Sequence, residues 1–237
     1  MRNVLFWAVI PLLLPQALYV RKTAPRFAPA GGPSTGITGN GEQLRLLAVG
    51  DSIIAGVGAT ELSKALVGRT AAAIAASLDC SVAWQAHGVS GYSSRKILDR
   101  LLPELPDVAA DYIIVSVGVN DVTGLTTLRK WRQNLSRLLH KLQQHSPNAV
   151  IAVAGMPPMH RFPLLPQPLR TIIGMRSRSF DEEARKIVEK FPNTVHVPLD
   201  FEPDHHGFSP DGYHPSEDSY AEFGRYMAGG LLGISKQ

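Results

Sequence analysis

The chain has 237 residues, 44% of them apolar, which is enough to form one sizeable hydrophobic core. Its formal net charge of +4 is accounted for by four basic residues within the first thirty, a stretch that contains no acid. The remainder is electrically balanced, which argues against a nucleic-acid partner. Cys80 is the single cysteine, so an internal disulfide is excluded as well.

The first predicted element is an apolar run from Val4 to Val20 with basic residues on both sides. Its length approaches that of the shortest membrane-spanning helices, although two prolines and a glutamine interrupt it. We expect residues 1–24 to be an uncleaved anchor that holds the protein at the membrane of the cell envelope, on a side that the flanking charges do not specify. A cleaved signal peptide is the alternative. Residues 25–43, rich in Pro, Gly, Ser and Thr, are predicted to be a flexible linker, and residues 44–237 the folded domain.

Short apolar runs then alternate with longer segments of helical spacing. Predicted strands cover residues 44–49, 82–86, 112–117, 150–154 and 195–197. Predicted helices cover residues 61–78, 94–102, 125–144, 171–190 and 216–232. This alternation indicates an α/β fold, in which a central parallel sheet of about five strands is covered by helices on both faces. Ligands of such sheets bind beyond the carboxyl ends of the strands, so the residues that follow each strand are the first candidates for a site.

Ser52 follows the first predicted strand, after Gly50 and Asp51, so its hydroxyl would be presented at a strand-to-helix turn. Taken alone, Asp51 or Ser52 could simply cap the next helix. The surrounding residues do not match the Gly-x-Ser-x-Gly turn of ordinary α/β-hydrolases, because Ile54 stands where the second glycine would be. A nucleophilic role for Ser52 therefore needs a base, and an acid to orient that base, elsewhere in the chain.

Asp211 and His214 form an Asp-x-x-His pair in a segment rich in Pro and Gly before the last predicted helix. This spacing lets the two side chains meet within one turn, and an incidental pair in an exposed loop is the alternative. Gly91 and Asn120 follow two other strands, and a backbone N–H or an amide side chain at such a place is suited to stabilising an oxyanion. Each of these two features, by itself, is also ordinary turn chemistry.

Taken together and in order, these segments resemble the SGNH hydrolases, also called the GDSL family. The four matching segments are GDSIIAG at 50–56, GVSGYSS at 88–94, GVND at 118–121 and DGYH at 211–214. The resemblance implies a three-layer α/β/α sandwich of flavodoxin-like type and a serine esterase or lipase that needs no metal or other cofactor. Ile53 replaces the leucine of the name motif, and Ala86-His87 replaces an asparagine often found upstream of the second segment. Neither departure touches a catalytic position.

By this resemblance, Ser52 is the nucleophile, His214 the base, and Asp211 the acid that orients the base. The oxyanion would be bound by Ser52, Gly91 and Asn120. The substrate is then a small ester or a lipid, cleaved through an acyl-enzyme. An acyltransferase or a deacetylase would use the same residues, and the sequence does not separate these outcomes.

A proline-rich apolar segment at residues 156–166 follows the fourth predicted strand and would overhang the same edge of the sheet. We expect Met156, Pro157 and Phe162 in this segment, together with Asp51, to contact the substrate. An apolar wall of this kind would suit an acyl chain. A loop packed on the domain's own surface is the alternative.

Two other classes of protein are considered. A metal-dependent hydrolase would use Asp204, His205 and His206 with Asp211 and His214, since these residue types ligate zinc. Adjacent histidines do not converge easily on one ion, which disfavours this class. A non-catalytic carbohydrate- or lipid-binding module is disfavoured by the complete set of Ser, Gly, Asn and Asp/His.

Overall fold

A computed structural model describes residues 2–25, 27–199 and 207–234. It contains one six-stranded sheet. The strands are β1 Thr35–Gly39, β2 Gln43–Gly50, β3 Ser81–Gly88, β4 Tyr112–Ser116, β5 Val150–Ala154 and β6 Thr194–Val197. Their order is β1-β3-β2-β4-β5-β6, and all neighbours are parallel except β1, which is antiparallel to β3. The predicted α/β fold with a central, mainly parallel sheet is confirmed.

Strand β1 was not predicted from the sequence. It lies at the edge of the sheet, and its sequence Thr-Gly-Ile-Thr-Gly offers one large apolar side chain, Ile37, which is exposed. The strand therefore forms through backbone pairing with Ser81–Gln85 of β3 rather than through an apolar face. Such pairing leaves no periodic signal in the sequence.

The described residues contain seven α-helices, together with a π-helix at Ile97–Leu101 and three short 3-10 helices. The α-helices are α1 Arg2–Thr23, α2 Leu66–Leu78, α3 Ser94–Lys96, α4 Val119–Thr123, α5 Leu128–His145, α6 Leu169–Val188 and α7 Glu217–Ile234. Successive strand residues point to opposite faces of the sheet, so Leu47 and Val49 pack against α5 and α6, while Leu46 and Ala48 pack against α2 and α7. The result is the three-layer α/β/α sandwich.

Helix α5 shows how side-chain spacing and capping set the limits of an element. Trp131, Leu135 and Leu142 are among its fully buried residues and recur at helical spacing. The helix begins three residues later than predicted because Thr127 caps it, accepting a hydrogen bond from Lys130 N at 3.3 Å.

The N-terminal helix α1 packs against α6. Phe6, Ile10 and Leu13 are buried in the same core cluster as the apolar side of α6, and Gln16 Nε2 donates a hydrogen bond to Gln167 O at 2.8 Å. Within the described ranges, no helix is both long and apolar enough to cross a membrane. The predicted anchoring at the cell envelope is therefore wrong. Two prolines and a glutamine dilute the apolar run, and its buried face packs on the domain instead. The segment boundaries expected at residues 24 and 43 stay predictions.

The register of the sheet brings three strand exits side by side. Gly50 at the end of β2 pairs with Gly88 at the end of β3 and with Ser116 at the end of β4. Residues that follow these strands therefore share one edge of the sheet.

Candidate active site

Ser52, His214 and Asp211 form one chain of hydrogen bonds at this edge. His214 Nε2 lies 3.0 Å from Ser52 Oγ, and His214 Nδ1 lies 2.6 Å from Asp211 Oδ2. Ser52 is 9% exposed, so its hydroxyl is almost enclosed. Two residues separated by 162 positions in the chain thus meet through side-chain atoms. A serine hydroxyl in contact with an imidazole, itself bonded to a carboxylate, is the arrangement that activates serine for attack.

The backbone around Ser52 is held close to the loop that carries His214. Gly58 has φ +100°, and a Cβ at this position would lie 2.3 Å from Pro215 O, so only glycine allows this approach. Tyr220 on α7 donates its hydroxyl to Val57 O at 2.8 Å. The loop that carries His214 and helix α7 are therefore held against the turn after β2 at two adjacent residues, Val57 and Gly58.

The Asp211 carboxylate is nearly saturated by hydrogen bonds. Its Oδ1 accepts from Ser209 Oγ at 2.8 Å, from Tyr213 N at 2.8 Å and from His214 N at 2.9 Å. Burial raises the pKa of Asp211, but the hydrogen bonds from His214, Ser209 and Tyr213 outweigh it and lower the pKa to about 2. An ionised carboxylate only accepts, so Nδ1 of His214 carries the proton and Nε2 is left to accept from Ser52.

Asp51, expected to contact the substrate, is 2% exposed and bonded to its neighbours. Its Oδ1 accepts from Ile53 N at 3.2 Å, and its Oδ2 accepts from Asn120 Nδ2 at 3.3 Å. Burial raises the pKa of this carboxyl group to about 7, although the hydrogen bond from Ile53 and the nearby His214 act in the opposite direction. Asp51 lines the same pocket as Ser52, so substrate contact stays a prediction.

Asn120 and the Gly91 turn are joined to each other. Asn120 Nδ2 donates to Tyr92 O at 3.0 Å, a shorter bond than the one it makes to Asp51. Gly91 has φ +79°, and a Cβ there would meet nothing within 4 Å. Backbone conformation rather than crowding is therefore what favours glycine at this position. The structure thus brings the loop of Gly91 and the amide of Asn120 to the edge that carries Ser52.

A buried polar network behind this edge was missed by sequence reasoning. The Asp121 carboxylate accepts from Ser94 N and from Ser94 Oγ, each at 2.7 Å, and Asn134 Nδ2 donates to Ser94 Oγ at 2.9 Å. Ser94 and Asp121 have no exposed surface. Ser94 and Asp121 both lie inside segments that resemble the family. The position of Asp121, directly after the predicted oxyanion residue Asn120, was the signal in the sequence that could have identified it.

The predicted substrate-contacting residues of segment 156–166 lie in one apolar pocket. The pocket has a cavity volume of about 50 Å³. Its lining includes Ile53, Val119, Met156, Pro157, Phe162 and Phe208, together with Ser52 and His214. The Phe162 ring packs edge-on against Tyr213 at 5.0 Å between centroids and against Phe208 at 5.4 Å. Aromatic rings therefore connect the predicted segment to the loop that carries His214.

Asp181 and His196 support this pocket from behind and were also missed. Asp181 Oδ1 accepts from Met156 N at 2.8 Å and lies 2.8 Å from His196 Nε2. Burial raises the pKa of Asp181, but the hydrogen bonds from His196 and Met156 outweigh it and leave the pKa below its ordinary value. This pair joins two distant elements, α6 and β6, so no local pattern in the sequence indicates it.

The alternative of a metal-dependent hydrolase depends on five residues. Asp204, His205 and His206 lie outside the described residues. Across the ranges that are described, no group of three or more His, Cys, Asp or Glu side chains could hold a metal ion. Asp211 and His214, the remaining members of that set, are bonded to each other.

Several solved structures share this fold. A family 3 carbohydrate esterase from Clostridium thermocellum has a TM-score of 0.65 at 19% identity, with 82% of this chain and 98% of that chain covered. The psychrotrophic esterase EstA from Pseudoalteromonas sp. has a TM-score of 0.62 at 20% identity, with 81% and 99% covered. A lipase/acylhydrolase from Enterococcus faecalis has a TM-score of 0.59 at 22% identity, with 80% and 96% covered. At these identities the likeness shows the fold alone.

The family assignment comes from the sequence. No curated protein matches the chain. The model of the GDSL-like lipase/acylhydrolase family matches residues 48–222, which include the Ser52 turn, the Gly91 turn, Asn120 and the Asp211/His214 loop. The chain therefore belongs to the GDSL-like lipase/acylhydrolase family, consistent with ester hydrolysis.

Proposed function

We propose that the protein is a serine esterase that cleaves carboxylic esters at Ser52. The observation that carries this proposal is the continuous hydrogen-bonded chain from Ser52 Oγ to His214 and from His214 to Asp211, with contacts of 3.0 and 2.6 Å. Each contact is within the range expected of a nucleophile and its base. The low pKa of Asp211 supports the tautomer of His214 that accepts the serine proton.

In the proposed reaction, Ser52 Oγ attacks the carbonyl carbon of the ester while His214 Nε2 takes the serine proton. The His214 imidazolium, stabilised by Asp211, then gives this proton to the alkoxide of the leaving alcohol as the ester C–O bond breaks. Water attacks the acyl-serine and passes a proton to His214 in turn. The acid leaves, and Ser52 regains its proton.

The oxyanion would be bound by the backbone N–H groups of Ser52 and Gly91 and by Asn120 Nδ2. The short bond from Asn120 Nδ2 to Tyr92 O fixes the amide plane, while the longer one to Asp51, at 3.3 Å, is the weaker. We infer that the substrate oxyanion takes the place of Asp51 as the second acceptor. Donors held in position in this way stabilise negative charge that develops in the transition state.

The apolar pocket favours a short acyl group. A cavity of about 50 Å³ holds on the order of four water molecules, so we expect it to suit an acyl chain of about two to four carbons. Phe162, which lines this pocket, is 4% exposed and packs against two other rings, so we expect it to limit the length of the acyl chain. We therefore propose that acetyl to butyryl esters are preferred over long-chain lipids.

The chemistry is tested by replacing the proposed nucleophile. Ser52→Ala should abolish both the turnover of p-nitrophenyl acetate and covalent labelling by a fluorophosphonate, whereas Ser90→Ala, at an exposed serine near the same edge, should retain both. A phosphonate probe is apt because the structurally similar EstA is inhibited by monoethylphosphonate. Normal turnover by Ser52→Ala would overturn the proposal. Adding an alcohol and measuring the ratio of acid to new ester separates hydrolysis from acyl transfer.

The acyl preference is tested with a p-nitrophenyl ester series from acetate to decanoate. We expect kcat/KM to fall beyond butyrate in the natural protein and the optimum to move to longer chains in Phe162→Ala, because that change opens the pocket. Leu78→Ala, at an exposed position on α2, is the matched control and should leave the profile unchanged. An optimum at decanoate in the natural protein would contradict the short-chain proposal while leaving the serine mechanism intact.

A further inference from the structure

Arg176 is a buried cation on the apolar side of α6. It is 3% exposed and lies at helical spacing between Ile172 and Phe180, which are both buried. Burial lowers the pKa of its guanidinium to about 10, with the nearby Asp121 carboxylate opposing the shift, so the side chain is charged at neutral pH. A buried charge is costly unless its surroundings compensate for it.

One side of the guanidinium holds the element that carries Asn120. Arg176 Nε donates to Val122 O at 2.9 Å, and Arg176 Nη2 donates to Thr126 O. Val122 belongs to the five-residue helix α4, in which Asn120 is the second residue, and Thr126 lies in the turn that follows. The planar fork of one arginine thus spans two backbone carbonyls at the end of α4.

The other side of the guanidinium is enclosed by aromatic rings. Its central carbon lies 4.1 Å from the centroid of Phe6, 4.7 Å from that of Phe180 and 5.5 Å from that of Trp7. Its Nη1 has no hydrogen-bond partner among the described residues, so these rings are what compensates that side of the cation. Two of the three rings come from α1, and Phe6 is nearest and almost fully buried.

We propose that Arg176 is a positioning residue for Asn120, and that Phe6 of the docked helix α1 holds Arg176 in place, so that docking of α1 supports the reaction at Ser52. This inference rests on the proposed function. It gives the N-terminal helix a role in the catalytic domain that its sequence does not indicate.

The coupling follows from the small size of α4. Asp121, the middle residue of this helix, ties it to Ser94 at the start of α3, and Arg176 ties its C-terminal end to α6 and, through the aromatic rings, to α1. A short helix held at its middle and at its C-terminal end has little freedom to move Asn120 relative to Gly91. Loss of the Arg176 contacts releases one end, and misplacement of a catalytic group by about 1 Å is sufficient to slow a reaction by up to about 100-fold.

The test uses full-length Arg176→Lys, Phe6→Leu and the double variant. Lysine keeps the charge but cannot span both carbonyls, and leucine keeps the apolar volume but removes the ring face. Ile10→Val is the matched control, since Ile10 lies on the same buried side of α1 without a ring contact to Arg176. Active sites are counted by end-point labelling of Ser52 with a fluorophosphonate. Expressing kcat per labelled site restricts it to folded protein.

We expect Arg176→Lys to lower kcat about tenfold while KM for p-nitrophenyl acetate stays within about twofold, because only the transition state uses the oxyanion donors. Phe6→Leu should lower kcat to a smaller extent, and adding it to Arg176→Lys should cause no further loss, since both act through one contact. Ile10→Val should keep the natural kcat. A change confined to the number of labelled sites would indicate a purely structural role and overturn the inference.

The inference would equally be overturned if either single variant kept the kcat of the natural protein. It would also be overturned if the loss of kcat in the double variant equalled the product of the two single losses. If Arg176→Lys yields no folded protein, Phe6→Leu decides alone: reduced kcat at unchanged KM supports the inference, and unchanged kcat overturns it. Failure of the proposed function is distinguishable, because turnover by Ser52→Ala would remove the serine mechanism. An inactive Ser52→Ala with a fully active Arg176→Lys would remove only the role of Arg176.

Discussion

Asp211→Asn is the sharpest perturbation of the proposed mechanism, because it changes one atom and reverses one hydrogen bond. The asparagine carbonyl can keep the three bonds now accepted by Oδ1, from Ser209, Tyr213 and the backbone of His214. Its amide NH₂, however, replaces Oδ2, the oxygen that lies 2.6 Å from His214 Nδ1. A donor at that place requires Nδ1 to be unprotonated.

The reversed bond has a definite chemical consequence. The imidazole proton then resides on Nε2, 3.0 Å from Ser52 Oγ, and His214 cannot accept the serine proton without first changing tautomer. We expect kcat/KM to fall about 10⁴-fold, which is on the order of 5 kcal/mol of transition-state stabilisation.

The assay is turnover of p-nitrophenyl acetate at neutral pH, with circular dichroism to verify folding. Ser209→Ala is the matched control, because it removes one donor to Oδ1 and leaves the contact with His214 intact. We expect it to cost less than about tenfold, the worth of one ordinary hydrogen bond. Activity of Asp211→Asn within about tenfold of the natural protein would refute the assignment of His214 as base.

Three further predictions concern neighbouring groups. Asn120→Ala should lower kcat/KM by on the order of 100-fold, about 3 kcal/mol, and unchanged kinetics would exclude Asn120 from the oxyanion hole. The pKa of Asp51 is raised from 3.8 to about 7, so the folded state binds the proton of this carboxyl group more tightly than the unfolded chain does. The protonated group therefore contributes to stability below pH 3.8, and this contribution is lost as the pH rises towards 7. Asp51→Asn should therefore gain stability relative to the natural protein between about pH 4 and pH 8, by up to about 4 kcal/mol in urea unfolding. A stability difference independent of pH would contradict this. Asp181 has a lowered pKa, so its contribution is present above pH 3.8 and is lost as pH falls through the folded-state pKa. Asp181→Asn should cost about 1–3 kcal/mol at neutral pH and progressively less in acid, and an equal cost at all pH values would argue against an ionised Asp181.

The sequence by itself determined the features that depend on neighbours in the chain. The buried strands, the glycines and polar residues at their ends, and the Asp211/His214 turn are local patterns, because side-chain periodicity and turn chemistry act over a few residues. The placement of the strand exits at one edge followed from the parallel sheet, and the resemblance of four such segments to one family added the roles expected of their residues. These signals were sufficient to predict the α/β fold and to select a set of residues that the structure brings together at one edge of the sheet.

Tertiary structure alone decided the features that depend on contacts between distant segments. The apolar run at the N-terminus has the composition expected of an anchor, and only its packing on α6 shows that one face is used inside the domain. Arg176 interrupts an apolar helix face, but two of the three rings that enclose it come from α1, and the carbonyls that accept its hydrogen bonds come from α4 and the turn after it. Asp181 meets His196 across two elements. Burial and the cost of an uncompensated charge are set in three dimensions, which is why the residues around the site, unlike the site's own motifs, could not be predicted from the order of the amino acids.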